Sequence, residues 1–284
     1  MTGGVGHLVE WFRKTDRFSR MLDIQGSTIT RSHAIQNVGV SGLDYPLTVD
    51  LGDDVFRTAA KWTLGVSLPA DQRGAHMSRF VETVDSLGDS PLSLAGMVAF
   101  AGRVRETLEA KSASCETRFT WFRRVYAPVS RKSALNPYTV TWHVESFEDG
   151  NSLVVVTVEA LVKSLCPCSK AISDRGAHNQ RSRITISLRG SGQSVATMPS
   201  LDRTIAMVES HASSPVYPVL KRADEKFVTE YAYDNPGFVE DLVRAVAGSL
   251  GDFPGVEAFR VHVRNEESIH AHDCFAEIRS EKWQ

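Results

Sequence analysis

Stretches of period two and stretches of helical period follow one another along this chain in blocks, and that order narrows the fold more than any other feature. Phe56, Thr58, Ala60, Trp62, Leu64, Val66 and Leu68 alternate with Arg57, Lys61, Thr63 and Ser67, the pattern of a long strand with one buried face. Pro69 ends it. Met77, Phe80, Val81, Val84 and Leu87 then recur at helical spacing. After Gly88, Ser90 and Pro91 are expected as N-cap and first residue of a second helix, whose stripe is Leu94, Met97, Val98, Ala101, Val104 and Leu108. The strand pattern returns after Lys111, in Tyr138, Val140, Trp142 and Val144. Across an expected hairpin turn at Asp149-Gly150 it continues through Val154, Val156, Val158, Ala160 and Val162. Ile184, Ile186 and Leu188 predict a further strand, and Ile205, Val208 and Ala212 a helix. Asn235-Pro236 is expected to open another helix, with Val239, Leu242, Val243, Val246 and Leu250 on one face. Val261 and Val263, then residues 269–278, predict a closing pair of strands. Strands, two helices, strands, helices, strands is an α+β order and lacks the strict alternation of a doubly wound sheet. A mainly antiparallel sheet with helices on one face fits it, and the order suggests a duplicated unit without sequence similarity between the halves.

Charge and hydropathy remove several function classes. The 32 Lys and Arg against 34 Asp and Glu leave a net charge of -2, so no global basic field exists to hold nucleic acid or an anionic membrane. The longest apolar stretch, residues 153–162, is broken by Thr157 and Glu159 and is about half the length a bilayer-spanning helix needs. Charged residues Glu10, Arg13, Lys14 and Asp16 stand where a signal peptide would carry its apolar region. A cytoplasmic protein is therefore expected, with neither nucleic acid nor membrane as partner. The 4 Cys are too few for a disulfide scaffold, and close thiols in a reducing compartment suggest metal or catalysis. Neither a P-loop nor a Rossmann turn is present. Residues 1–30 show no sustained periodicity and are set apart as an N-terminal extension, leaving 31–284 as a single domain.

One dense polar constellation stands out, SLCPCSKAISDRGAHNQRS at residues 164–182. Cys166, Cys168 and His178 supply soft and borderline donors within reach of one ion; the same spacing also suits small buried thiols at a strand end beside a hydrogen-bonded loop histidine. A second cluster, NEESIHAH at residues 265–272, would put His270 and His272 on one face of a strand with Cys274, either as ligands or as a solvated strand end. The third, LKRADEK at residues 220–226, offers Glu225 or merely a solvated helix start.

These strings, with RGAHMSRF at residues 73–80, IQNVGVSGLDYPL from Ile35, and the longer run LKRADEKFVTEYAYDNPGFVEDLVR from Leu220, closely resemble the GTP cyclohydrolase IB family, in order, from about residue 33 to about residue 280. The resemblance implies the tunnelling fold, with tandem two-strand, two-helix units in each subunit, and a homo-oligomer, a tetramer in the family, with active sites at subunit junctions. It implies hydrolysis of GTP to 7,8-dihydroneopterin triphosphate and formate, the first step of tetrahydrofolate synthesis. It also implies a divalent cofactor, zinc, manganese or iron, held by Cys166, His178, Glu225 and His270.

The remaining roles follow from the same resemblance. Cys168 is expected to move a proton to the imidazole ring of guanine as it opens. Glu240, in the first turn of a helix, would complement the helix dipole or accept guanine N1–H and the exocyclic amine together, a donor pair that adenine lacks. Lys170, Arg175, Arg181, Lys221, Arg222, His76 and Arg79 lie in the matching motifs as candidates for the triphosphate. Glu267 is expected to orient a ligand. Two rival readings stand beside this one: a tunnelling-fold enzyme with Cys168 as covalent nucleophile, and a non-catalytic oligomer with structural zinc.

Overall fold

A computed structural model of the chain describes residues 27–283 except 29, 31 and 32. Most of the extension expected at residues 1–30 lies outside the described residues. Of what is described there, Thr28 forms a bridge with Gln72, and Ser27 O accepts the Arg73 N–H at 3.3 Å.

The first half of the fold is β1 (Ile35–Asp50), β2 (Val55–Leu68), α1 (Met77–Asp85), α2 (Leu94–Thr107), β3 (Ser112–Tyr126) and β4 (Ser133–Phe147). The second half repeats that order with insertions: β5 (Ser152–Leu165), α3 (Pro167–Ile172), β6 (Asn179–Ser191), α4 (Leu201–His211), β7 (Ser214–Pro215), α5 (Arg222–Asp234), α6 (Val239–Leu250), β8 (Ala258–Glu266) and β9 (Cys274–Arg279). The strands form one antiparallel sheet in the order β1-β2-β3-β4-β5-β6-β8-β9, with the short β7 added against β5. This is the α+β order, with a mainly antiparallel sheet, that the sequence predicted.

Alternation builds the sheet's two faces. On β4, Tyr138, Val140, Trp142 and Val144 are buried while Thr141, His143 and Glu145 between them stay partly open. The buried face takes the stripes of the helices: Met97, Phe100, Ala101 and Val104 of α2, and Leu242, Val243 and Val246 of α6, all belong to one core with Trp62, Trp142 and Ile186. Each fully buried large apolar side chain contributes about 1.5–3 kcal/mol. The open face is polar and cross-linked between strands, for example by Arg118 to Glu159 at 3.0 Å and Arg260 to Glu277 at 2.6 Å.

Four expectations are corrected. Strand β3 was not foreseen, because its buried positions, Ala113, Cys115, Thr117, Phe119 and Trp121, mix small and polar residues with aromatics among charges. Helix α2 starts at Leu94 with Ser93, not Ser90, as N-cap, Ser93 Oγ accepting from Gly96 N at 3.1 Å. Leu92 is instead held to β1, its N–H donating to Thr48 O at 2.8 Å and its carbonyl accepting from Asp50 N at 2.9 Å. Asn235 caps the end of α5, and α6 starts three residues after Pro236, at Val239, where the Asp241 carboxylate accepts the Phe238 N–H at 3.0 Å. Residues 269–272 form no strand; they are a bend between β8 and β9. Among the described residues, no helix is long and apolar enough to cross a membrane.

Candidate active site

The β5–β6 ladder carries the chemistry at its open end. Leu165 pairs with Asn179 in that ladder, and the pairing is extended one step outward by Cys166 N–H donating to His178 O at 3.1 Å. Pro167, fixed near helical φ, opens the single short helix α3 directly after Cys166. Ser169 closes the excursion: its Oγ donates to Cys166 O at 3.2 Å and accepts the His178 N–H at 3.1 Å. Gly176, at φ 109°, makes the return turn in a conformation other residues rarely adopt. Twelve positions apart in sequence, the thiol and the imidazole are thus set side by side by backbone bonds.

A cavity of about 380 Å³ opens at this end, and Cys166, His178, Glu240, His270, His272 and Cys274 all stand on its wall. Glu240 arrives on the first turn of α6. Its helix is tied to the site by Gly237 N–H donating to Leu165 O at 3.1 Å. His270 and His272, although in a bend and not on a strand, stack on one another at 5.1 Å between ring centroids. Asn265, buried on the wall, accepts the Ser182 hydroxyl at 2.6 Å, and Ser182 behind it is also paired with the Ser164 hydroxyl.

Two side chains flank the His178 ring. Nδ1 lies 3.0 Å from Gln180 Oε1 and 4.0 Å from Glu267 Oε2. The other carboxylate oxygen of Glu267 accepts the Cys274 thiol at 3.1 Å. Burial, and then the Glu267 carboxylate beside it, push the Cys274 thiol up to about 11, so this sulfur stays protonated at neutral pH and acts as a donor.

The structure therefore brings Cys166, His178, His270 and Glu240 to one cavity, with Glu267 beside them. Glu225 is not on the wall; it is exposed on the first turn of α5. Cys168, the second residue of α3, is also exposed and off the wall. Among the described residues, no three His, Cys, Asp or Glu side chains are already gathered closely enough to hold an ion.

The expected cations stand off the cavity wall. Lys170 donates to Tyr233 O and sits 4.3 Å from the centre of that ring. Arg181 pairs with Glu266 at 3.0 Å. His76 is the N-cap residue of α1, and Arg79 donates to Thr107 O at 3.5 Å. Arg175 lies in the turn after α3, its N–H donating to Ser173 Oγ at 3.2 Å, Lys221 and Arg222 start α5, and none of the seven lines the cavity.

Two residues that matter were not singled out. Gln180 lies two positions after His178, and the period of a strand puts both on one face, which was the available signal. Asp224, fully buried, accepts N–H bonds from Lys221, Val129 and Ser130, each at 2.8 Å, and the Ser130 hydroxyl at 2.6 Å. Burial alone would raise this carboxyl, but those four donors outweigh it and hold it well below the usual carboxylate range. Asp224 thereby ties the turn after β3 to the start of the helix that carries Glu225.

Comparison with known proteins adds to this geometry. The sequence model of a family described as type I GTP cyclohydrolase folE2 matches residues 21–276, beginning within the segment set apart as an extension. The chain is similar to GTP cyclohydrolase FolE2 of Bordetella petrii, 44% identical over 259 residues that cover 91% of this chain and 96% of that one. It is similar also to GTP cyclohydrolase FolE2 of Methylococcus capsulatus, 42% identical over 264 residues, covering 92% and 95%. Among solved structures, uricase from Arthrobacter globiformis aligns with a TM-score of 0.49 at 9% identity, over 90% of this chain and 97% of that one.

Proposed function

We propose, since this chain belongs to the type I GTP cyclohydrolase folE2 family, that it hydrolyses GTP at guanine C8 to 7,8-dihydroneopterin triphosphate and formate, and that the cavity at Cys166, His178 and His270 is where it does so. Membership carries the coarser statement, a GTP cyclohydrolase of folate synthesis. The finer reading is supported by one observation: a thiol, imidazoles and carboxylates from distant parts of the sequence converge on a single cavity.

The donor set suits a divalent ion. Thiolate and imidazole are ligands for zinc and iron, and carboxylate broadens the choice to manganese. Cys166, His178 and His270 would hold it, with Glu225 joining them in the assembled protein. When bound, such an ion supplies Lewis acidity that makes water nucleophilic near neutral pH.

The chain's own residues supply the rest. In this reading Glu240 accepts N1–H and the exocyclic amine of guanine and fixes the purine edge, a role supported by its position on the cavity wall. A purine without that donor pair would leave the carboxylate unpaired, which costs binding and sets the preference for GTP over ATP. Phe238 and Phe275, also on the wall, offer apolar surface to the flat ring. Cys168 is the proposed proton donor to the opening ring, and Lys170, Arg181, Lys221, Arg222, His76 and Arg79 are the proposed triphosphate contacts, some acting from a neighbouring copy. The sheet ends in β1 and β9, whose outer edges are joined by no further strand among the described residues beyond the Leu92 bridge to β1, and such edges support assembly of several copies, which we take to be a tetramer.

Incubation with GTP and added Mn²⁺ or Zn²⁺ tests the reading. Formate and, after oxidation, a fluorescent pterin should appear, and neither should form from ATP. Absence of formate from GTP with manganese, zinc and ferrous iron alike would overturn it.

A further inference from the structure

We infer that Gln180 is a positioning residue for the His178 imidazole: it accepts the Nδ1–H bond, so that Nε2 is the nitrogen left with a lone pair for an ion in the cavity. The inference rests on the metal reading of the site proposed above.

A neutral imidazole carries one proton, and the partner of one nitrogen decides which nitrogen is free to ligate. Two groups compete to be that partner. The Gln180 carbonyl oxygen is 3.0 Å from Nδ1, a normal hydrogen bond. Glu267 Oε2 is at 4.0 Å, beyond hydrogen-bond reach, and the other oxygen of that carboxylate is occupied by the Cys274 thiol. Nε2 makes no hydrogen bond among the described residues.

The arrangement is rigid from both sides. The His178 N–H and carbonyl are each bonded, to Ser169 Oγ and Cys166 N, so the ring turns only about its side-chain torsions. Gln180 is 8% exposed and stands on β6 paired with Ser164 of β5, one step before the ladder to β8 begins at Arg181. A buried amide on a central strand is a better-fixed acceptor than a carboxylate at the start of a bend.

Cobalt(II) titration of the metal-free protein, read by thiolate-to-cobalt absorption, tests this without reference to turnover. Wild type should bind, and His178→Ala should not. Gln180→Leu should bind about 10- to 100-fold more weakly, while its metal-free thermal midpoint stays close to wild type. Gln180→Glu, which can only accept, should restore the affinity. Wild-type affinity in Gln180→Leu, or loss in Gln180→Glu equal to that in Gln180→Leu, overturns the inference while leaving the site reading intact. Failure of wild type itself to bind, or equal binding by His178→Ala, overturns the site reading instead. Should Gln180→Leu not fold, the nitrogen-15 shifts of His178 in metal-free wild type decide: an Nδ1–H tautomer supports the assignment and an Nε2–H tautomer refutes it.

Discussion

Two cavities of nearly equal size, about 370 Å³ and about 380 Å³, open on this chain, and they differ in how much hydrogen-bonding capacity the fold has left unused on their walls. The first lies over the sheet's helix side, with Trp121 and Trp142 on its wall and Asp50, Asp54, Ser93, Ser200 and Asp202 among its polar lining. Each of those groups already has structural work. Asp50 accepts the Gly52 N–H at 2.8 Å, Asp54 accepts the Trp121 indole at 3.1 Å, and Asp202 holds Arg123 at 2.7 Å. Ser93 and Ser200 cap α2 and α4. In the second cavity, the Glu240 carboxylate and His178 Nε2 make no hydrogen bond among the described residues, and His270 and His272 are exposed. Equal volume therefore does not mean equal competence; what distinguishes a reactive cavity is donor and acceptor capacity left unspent by the fold.

The largest expected effect breaks the comparison at its strongest point. Cys166→Ala or His178→Ala should abolish metal binding and lower GTP turnover by on the order of 10³-fold or more, since several kcal/mol of charge stabilisation go with the ion. The fold should survive, because neither side chain is in the core. Metal content by plasma emission, beside formate release, checks this; full turnover in either variant would make the second cavity as inert as the first. Glu240→Ala comes next. Two hydrogen bonds to a charged group, at about 1.5–3 kcal/mol each, predict a fall in kcat/KM for GTP of on the order of 10²- to 10⁴-fold, with metal retained. Unchanged kcat/KM and GTP affinity would remove Glu240 from the guanine edge.

The same contrast explains what could be read from the chain. Core alternation was legible wherever apolar residues were large and regular, as in β2 and β4, and failed in β3, where Thr117 and Ala113 occupy buried positions. Helix starts at Ser90-Pro91 and Asn235-Pro236 were misplaced because capping depends on which backbone N–H is left over after tertiary bonds form. Leu92 is claimed by β1, and Asp241, not Asn235, caps α6. At the site, the thiol and imidazole motif was legible as residue types, and His270 stands on the same cavity wall although it lies in a bend and not on a strand. Glu225 and Cys168 stand off the cavity wall, and nothing in a linear spacing reports how far a short helix turns a side chain from its neighbours. Gln180 was passed over because an amide carries no chemistry until its partner is known.

Substitution in the first cavity sharpens the difference from the other side. Trp142 is 2% exposed and meets Phe119 edge-on at 5.2 Å. Trp142→Ala should destabilise the protein by about 3–5 kcal/mol, visible as a lower urea midpoint, while protein that remains folded keeps its metal and its kcat. A stability loss with no change in turnover per folded molecule assigns that cavity to structure. Loss of kcat at unchanged stability would show that the two cavities are coupled.

The smallest effect concerns Asp224, a polar group as fully spent as those of the first cavity yet next in sequence to Glu225. Its carboxyl lies below the ordinary value in the folded chain, whereas the unfolded chain titrates it near about 3.9. A depressed folded value means that the unfolded state binds the proton more readily. The stabilisation is therefore complete above about pH 4 and is lost progressively as the pH falls through that value toward the folded one. Urea midpoints measured from pH 7 down to pH 3 should fall below pH 4 in wild type. In Asp224→Asn, which keeps one acceptor oxygen but places amide hydrogens against backbone donors, the midpoint should be lower at pH 7 and its further fall below pH 4 shallower. Parallel curves would mean that the four bonds to Asp224 do not set the acid limb. A shallower limb with metal affinity unchanged would mean that the clamp holds the turn after β3 without placing Glu225, and a shallower limb with weakened metal affinity would tie Glu225 to the ion through the helix start that Asp224 fixes.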